Sequence, residues 1–324
     1  MNIFRSFGGG PGRRKCWPCL AGAILCLCLL SACAVVSKDG EGGPGSFPVD
    51  PNAVPSEPIL LVPQASGTQK EENERAVIDY SHCSDGYVMV RFKENTEKTL
   101  KAQVKCSSGV YVYDITPGEW QVFPLSDGDG SYIVQVCENV SDKKYAVVLK
   151  AELSVSLSDP FAPFLRPNQY VDYLNAPETV QKASELTAGR SGTLAKVDAI
   201  YQFVVNTMRY DYDKAKTVTS GYLPVLDEFL AVKKGICFDY AALMTAMLRC
   251  QGIPCKLVIG YSGDVYHAWI SVWSEEEGWM DKLIYFDGKE WKRMDPTYAS
   301  TGKNSTKTSQ YIGDGSNYIE KYAY

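Results

Sequence analysis

A chain of 324 residues, 45% hydrophobic and 22% charged, has the size and make-up of one to three ordinary globular domains. Its formal net charge of −5 excludes a broad basic footprint for nucleic acid and a surface held to membranes by lysine and arginine. Eleven cysteines and two histidines restrict the search for reactive side chains to a few places.

The first element is a leader. Arg13, Arg14 and Lys15 precede the apolar run CLAGAILCLCLL (19–30), which is short for a membrane span and flanked like a secretory signal. The run ends in Leu30-Ser31-Ala32-Cys33, which resembles the bacterial lipobox. That resemblance implies cleavage before Cys33, a lipid on its sulfur and an extracytoplasmic protein anchored to the bacterial membrane. The alternative is a conventional signal cleaved nearby, or an uncleaved anchor. Loss of residues 1–32 would take the net charge from −5 to −9 and leave seven cysteines. Besides Cys33 these are Cys83, Cys106, Cys137, Cys237, Cys250 and Cys255; Cys106 with Cys137 is one conceivable bridge.

Residues 33–74 read as a tether. Six prolines (Pro44, Pro48, Pro51, Pro55, Pro58, Pro63) and a single aromatic residue, Phe47, offer little to bury. As a coil it would hold the folded part roughly 35 Å from the membrane. Residues 75–157 turn to period two: YVMVRF (87–92), LKAQVKC (100–106), VYVYDI (110–115), WQVFPL (120–125), SYIVQVC (131–137) and YAVVLKAELSVSL (145–157). Short intervals and turn signals such as DGDG (127–130) predict six or seven strands in a small Ig-like sandwich, most simply a spacer or binding module.

From 158 to 324 the pattern is mixed. Leu194, Val197, Tyr201, Val204 and Met208 mark one helical face, 177–188 a second helix, and Leu223 to Val232 a third. CFDYAALMTAMLRCQG is apolar on nearly every face and closes at Gly252 and Pro254, so Cys237 heads a buried helix. Free N–H groups and the helix dipole there favour an anion, whether a thiolate or an oxyanion. CKLVIGY (255–261) and VYHAWISVW (265–273) read as strands, and YFDGKEW as a hairpin through Asp287-Gly288. They supply His267 as a proton acceptor, and WKRMDPTY (291–298) supplies Asp295 to orient it.

KGICFDYAALM, LRCQGIPCKLVIGY, HAW and MDPTY, with YDYD (210–213) upstream, resemble the transglutaminase-like superfamily over roughly residues 195–300. The resemblance implies an α+β, papain-like transglutaminase core in which helices pack on an antiparallel sheet, preceded here by the all-β sandwich. It makes Cys237 the nucleophile, His267 the general base and acid, and Asp295 the orienting carboxylate. Tyr222 is the candidate for a further oxyanion donor. The sequence departs from animal members in having Phe238 after the cysteine, no matching calcium sites and a longer segment between His267 and Asp295.

A zinc site on Cys237, Cys250, Cys255 and His267 is excluded. Cys237 and Cys250, thirteen residues apart on one helix, are separated by about 20 Å along its axis. No cofactor is expected. The chemistry expected is thioester formation on protein or peptide amides, cell-wall associated ones among them, followed by hydrolysis or amine transfer; one triad serves both. The alternative is a non-catalytic surface module that keeps the fold for binding.

Overall fold

Alternating burial along the first half of the chain builds two antiparallel sheets. The computed structural model describes residues 47, 49, 50, 52–281, 284–286, 291–293, 297, 300 and 317–324. Eight strands follow in order: β1 (Lys70–Glu72), β2 (Ala76–Asp79), β3 (Tyr87–Phe92), β4 (Leu100–Lys105), β5 (Val110–Asp114), β6 (Gln121–Pro124), β7 (Gly130–Ser141) and β8 (Lys144–Val155). One sheet has the order β1-β2-β3-β6 and the other β5-β4-β7-β8. Ala76, Ile78, Val88, Val90 and Phe92 from the first meet Leu100, Ala102, Val104, Val134 and Val136 from the second in a shared core. On β5 the parity is plain: Tyr111 and Tyr113 are buried, Val110 and Val112 exposed.

Two expectations are corrected here. The first strand lies at 70–72, inside the stretch read as a tether. Ahead of it the chain runs across the folded body as a strap. The Ser56 amide donates to the Ser184 carbonyl (3.0 Å), the Ile59 amide to the Cys250 carbonyl (2.7 Å) and the Gln64 amide to the Tyr87 hydroxyl (3.0 Å). Prolines forbid a ladder, yet they hold the segment extended and leave isolated amides that can dock singly. The tether before residue 47, and Cys33, lie outside the described residues.

Cys106 and Cys137 do not bridge; both are free. In the β4–β7 register Cys137 faces Lys101 while Lys105 faces Ile133, so Cys106 sits at the far end of the ladder.

The second half is helices around a sheet. α1 (Pro177–Thr187), α2 (Thr193–Thr207), α3 (Tyr212–Thr217), α4 (Leu226–Val232) and α5 (Cys237–Arg249) are followed by strands. Between the helices, β9 (Arg209–Tyr210) pairs in parallel with β10 (Lys234–Gly235). Then β11 (Cys255–Ser262), β12 (Val265–Ser274), β13 (Gly278–Asp281), β14 (Ile284–Phe286), β15 (Trp291–Arg293) and β16 (Tyr318–Ala323) complete the chain. β14 and β15 pair antiparallel as the expected hairpin, whose turn lies outside the described residues. The main sheet has the order β13-β12-β11-β16. α5 lies on β11 and β12, with α1, α2 and α4 packed around it, and every residue from Asp239 to Arg249 is buried.

The expected boundary at 157/158 is a change of layer without a break in packing. Tyr113 of β5 meets Tyr170 and Tyr324 at ring-centroid distances of 5.8 Å each. One hydrophobic cluster runs from Val90 and Val134 through these rings to Met244 and Ile270. The described residues accordingly belong to one compact unit. Among the described residues no helix is long and apolar enough to cross a membrane.

Candidate active site

Cys237 stands at the first position of α5, as its place after Gly235 and before a largely apolar run dictates. Ile236 precedes it in extended conformation (φ −101°, ψ 174°), so the chain enters the helix abruptly and the first amides have no partner within it. Ala241, Ala242 and Ala246 of α5 are buried in the core, and Gly252, with φ +73°, ends the turn after the helix. The thiol is free and half-buried.

β11 and β12 place the imidazole. Their register sets Cys255 opposite Val272, Leu257 opposite Ile270 and Ile259 opposite Ala268, and this parity faces α5. The other parity carries Val258, Trp269 and His267, with His267 opposite Gly260. The imidazole, 5% exposed, stacks toward Trp269 (6.1 Å) and lies 6.3 Å from the Tyr318 ring. His267, near the start of β12, borders the same cavity as Cys237, a space of about 790 Å³. The structure thus brings two of the expected residues to one cavity. Asp295 lies outside the described residues. Phenols dominate the cavity's wall. Burial pushes Tyr170 up to about 12 and raises Tyr222, Tyr266 and Tyr324, so these phenols are uncharged near neutral pH.

A second network sits directly behind the thiol. Asp239, fully buried in the first turn of α5, accepts from the Ile236 amide (2.8 Å) and from Lys214 Nζ (2.9 Å). The Tyr222 hydroxyl donates to its other oxygen. Lys214 also reaches the Tyr222 hydroxyl at 2.6 Å. Lys214 comes from α3, whose start is capped by Asp211 on the amides of Asp213 and Lys214. The β9–β10 pairing draws that segment beside Lys234-Gly235.

This network revises the reading of Tyr222. Tyr222 borders the cavity, but its proton is committed to Asp239, which removes the hydroxyl as an oxyanion donor in this arrangement. The charge of Asp239, which alone would oppose a thiolate, is compensated by Lys214. Gly235 leaves room for this network; a Cβ there would fall 2.6 Å from Asp239 Oδ2 and 2.7 Å from the Phe229 ring. Lys214 was missed because its partner lies 25 residues away, and the only signal was the YDYD stretch ahead of the cysteine.

Residues 180–296 match the family model described as the transglutaminase-like superfamily. This segment is a transglutaminase-like domain. The chain is 32% identical over 98 residues to the UPF0252 protein MJ1282 of Methanocaldococcus jannaschii, covering 28% of this chain and 26% of that one. It is 29% identical over 138 residues to a protein-glutamine gamma-glutamyltransferase of Pseudomonas aeruginosa, covering 38% and 18%. It therefore spans about a quarter or less of these curated relatives. A crystal structure provisionally named a cysteine protease, from Cytophaga hutchinsonii, aligns with a TM-score of 0.36 at 14% identity over 79% of this chain and 74% of that one.

Other groups with reactive or aromatic side chains lie away from this cavity. Cys250 donates to the Met247 carbonyl (3.3 Å) and Cys255 to Thr245 Oγ1 (3.6 Å); both are buried thiols whose ionisation burial pushes up to about 12. Trp273 packs on Phe161 (4.7 Å) and Trp279 (5.8 Å). His82 has a triad-like setting that sequence did not suggest: Ser66 Oγ lies 2.5 Å from its Nε2 and Asp85 Oδ2 lies 2.9 Å from its Nδ1. The neighbouring amides of Gly67 and Ser81, however, both donate to Asp79. With those donors taken the array works as a clip, fastening the strap to the sandwich.

Proposed function

We propose that the chain is an extracytoplasmic, lipid-anchored thiol enzyme acting on protein or peptide amides. The observation that carries the chemistry is the placement of Cys237, at the N-terminus of a buried helix, and His267 on one cavity. His267 takes the Cys237 proton as sulfur bonds to the carbonyl carbon of a carboxamide or peptide. Amides of the first turn of α5 receive the oxyanion. The C–N bond then breaks, His267 returns the proton to the leaving amine, and a thioester remains. Water or a second amine attacks it, His267 takes the proton of that nucleophile, and the thiol is regenerated. Asp295 is proposed to hold the imidazole in the required tautomer.

Both branches pass through the thioester. The test is to incubate the chain with a glutamine-containing peptide and search for the acylated Cys237 tryptic fragment by mass spectrometry. Acylation that vanishes in Cys237→Ala and in His267→Ala is expected. Added amine then separates the branches, since incorporation marks transfer and free carboxylate marks hydrolysis. Absence of acylation with every amide tried would replace this reading by that of a binding module. Anchoring rests on the Leu30–Cys33 stretch and has its own test. Metabolic labelling with an alkyne fatty acid should mark the wild type and leave Cys33→Ala unmarked.

A further inference from the structure

The cavity at Cys237 is not made by the transglutaminase-like segment alone. Lys101 of β4 and Val112 and Asp114 of β5, all from the sandwich, form part of its wall. Lys101 Nζ pairs with Asp114 Oδ1 at 2.5 Å. A Cβ on Gly221 would lie 3.4 Å from Asp114 Oδ2, so the loop before α4 approaches the same point. β5 is the edge strand of its sheet, and the Tyr113–Tyr170–Tyr324 contacts fix it beside this opening.

The rim carries an apolar surplus. Val112, Val218, Leu223, Val265 and Tyr266 border the cavity and are 46%, 38%, 39%, 57% and 57% exposed. They come from three elements distant in sequence, which no single amphipathic pattern would bring together. Apolar side chains gathered at one opening mark a contact surface, because each gains by leaving water. The only charges among the cavity's border residues from the sandwich, Lys101 and Asp114, neutralise each other.

We propose that the sandwich is one wall of the substrate cleft, and that Val112 with the apolar rim selects polypeptides whose reactive residue is flanked by bulky apolar side chains. This rests on the reading of Cys237 as the nucleophile for its catalytic meaning. The binding it asserts is separable. The cleft takes an extended apolar segment against β5 and leaves the amide to be attacked at the mouth of α5.

The test uses the full chain carrying Cys237→Ala, which removes turnover. Two short fluorescent peptides with a central glutamine are compared by anisotropy, one flanked by leucines and one by glycines. The leucine peptide should bind about tenfold or more tightly, the effect of burying a leucine side chain. Adding Val112→Asp should abolish the preference. Adding Val147→Asp, an equally exposed valine on β8 at the opposite edge of the sheet, should leave it unchanged. Equal affinity for the two peptides, or a preference untouched by Val112→Asp, would overturn the proposal. Iodoacetamide labelling of the wild-type thiol reads the nucleophile separately. An inert thiol with intact selectivity removes only the enzyme reading, and a reactive thiol without selectivity removes only the wall.

Discussion

At the scale of single residues, the site depends on a buried carboxylate that has been given three partners. Asp239 sits behind the thiol with Lys214, Tyr222 and the Ile236 amide around it. Lys214→Met leaves that charge buried without its cation and should cost about 3 kcal/mol. The measurement is the urea midpoint, with Lys214→Arg expected to retain most of the stability. Arg249 poses a similar case. It is fully buried and donates to the carbonyls of Cys255 (2.9 Å), Arg166 (2.6 Å) and Tyr324 (2.5 Å), so it ties three segments together. Arg249→Leu orphans those oxygens and should destabilise by about 3 kcal/mol or more. Cys237 and His267 were legible in the sequence because each sits in a short local pattern, a helix start and a strand. Lys214 and the commitment of Tyr222 were not, because they are set by pairings between elements that only the packed fold brings together.

At the scale of elements, the strands and helices followed from periodicity and their docking did not. β3, β4, α1 and α2 lie within a residue or so of the runs that predicted them. The strap was missed because its few apolar residues give no period, and it is held by isolated amides and the His82 clip. β16 shows how tightly one docking is specified. It pairs with β11 through a shift in register between Ile259 and Gly260, and a Cβ on Gly260 would lie 2.0 Å from the Ile319 carbonyl oxygen and 2.7 Å from the Trp269 ring. Gly260→Ala must therefore push β16 off β11 or strain the strand. A loss of about 2 kcal/mol in thermal unfolding is expected, with disturbed tryptophan fluorescence. Unchanged stability would mean that β16 is not seated as described.

At the scale of the whole molecule, the sandwich and the transglutaminase-like segment share a core, so they should unfold together. Urea unfolding followed by tryptophan fluorescence and by far-UV circular dichroism should give coincident single transitions. Two separated transitions would restore the boundary near residue 157 that the change of periodicity suggested. The same core sets the alkaline limit. Burial pushes the Cys250 and Cys255 thiols from 9 up to about 12, and the Tyr170, Tyr173 and Tyr240 phenols from 10 up to about 12. The folded state thus keeps these protons where the unfolded chain has lost them. Their contribution is complete below pH 9 and is lost as pH rises from 9 through about 12. Stability measured across that window should fall steadily, and Cys255→Ala should reduce the slope.

The measurement that bears most directly on the central claim is the pH dependence of alkylation at Cys237. Iodoacetamide labelling would be quantified by mass spectrometry in the wild type and in His267→Ala. A nucleophile paired with His267 at a helix N-terminus should be modified rapidly below pH 7, with the profile moving to higher pH in His267→Ala. A midpoint at or above that of a free thiol, about 8.5, and the same in both proteins, would contradict the assignment. The cavity would then belong to a binding module.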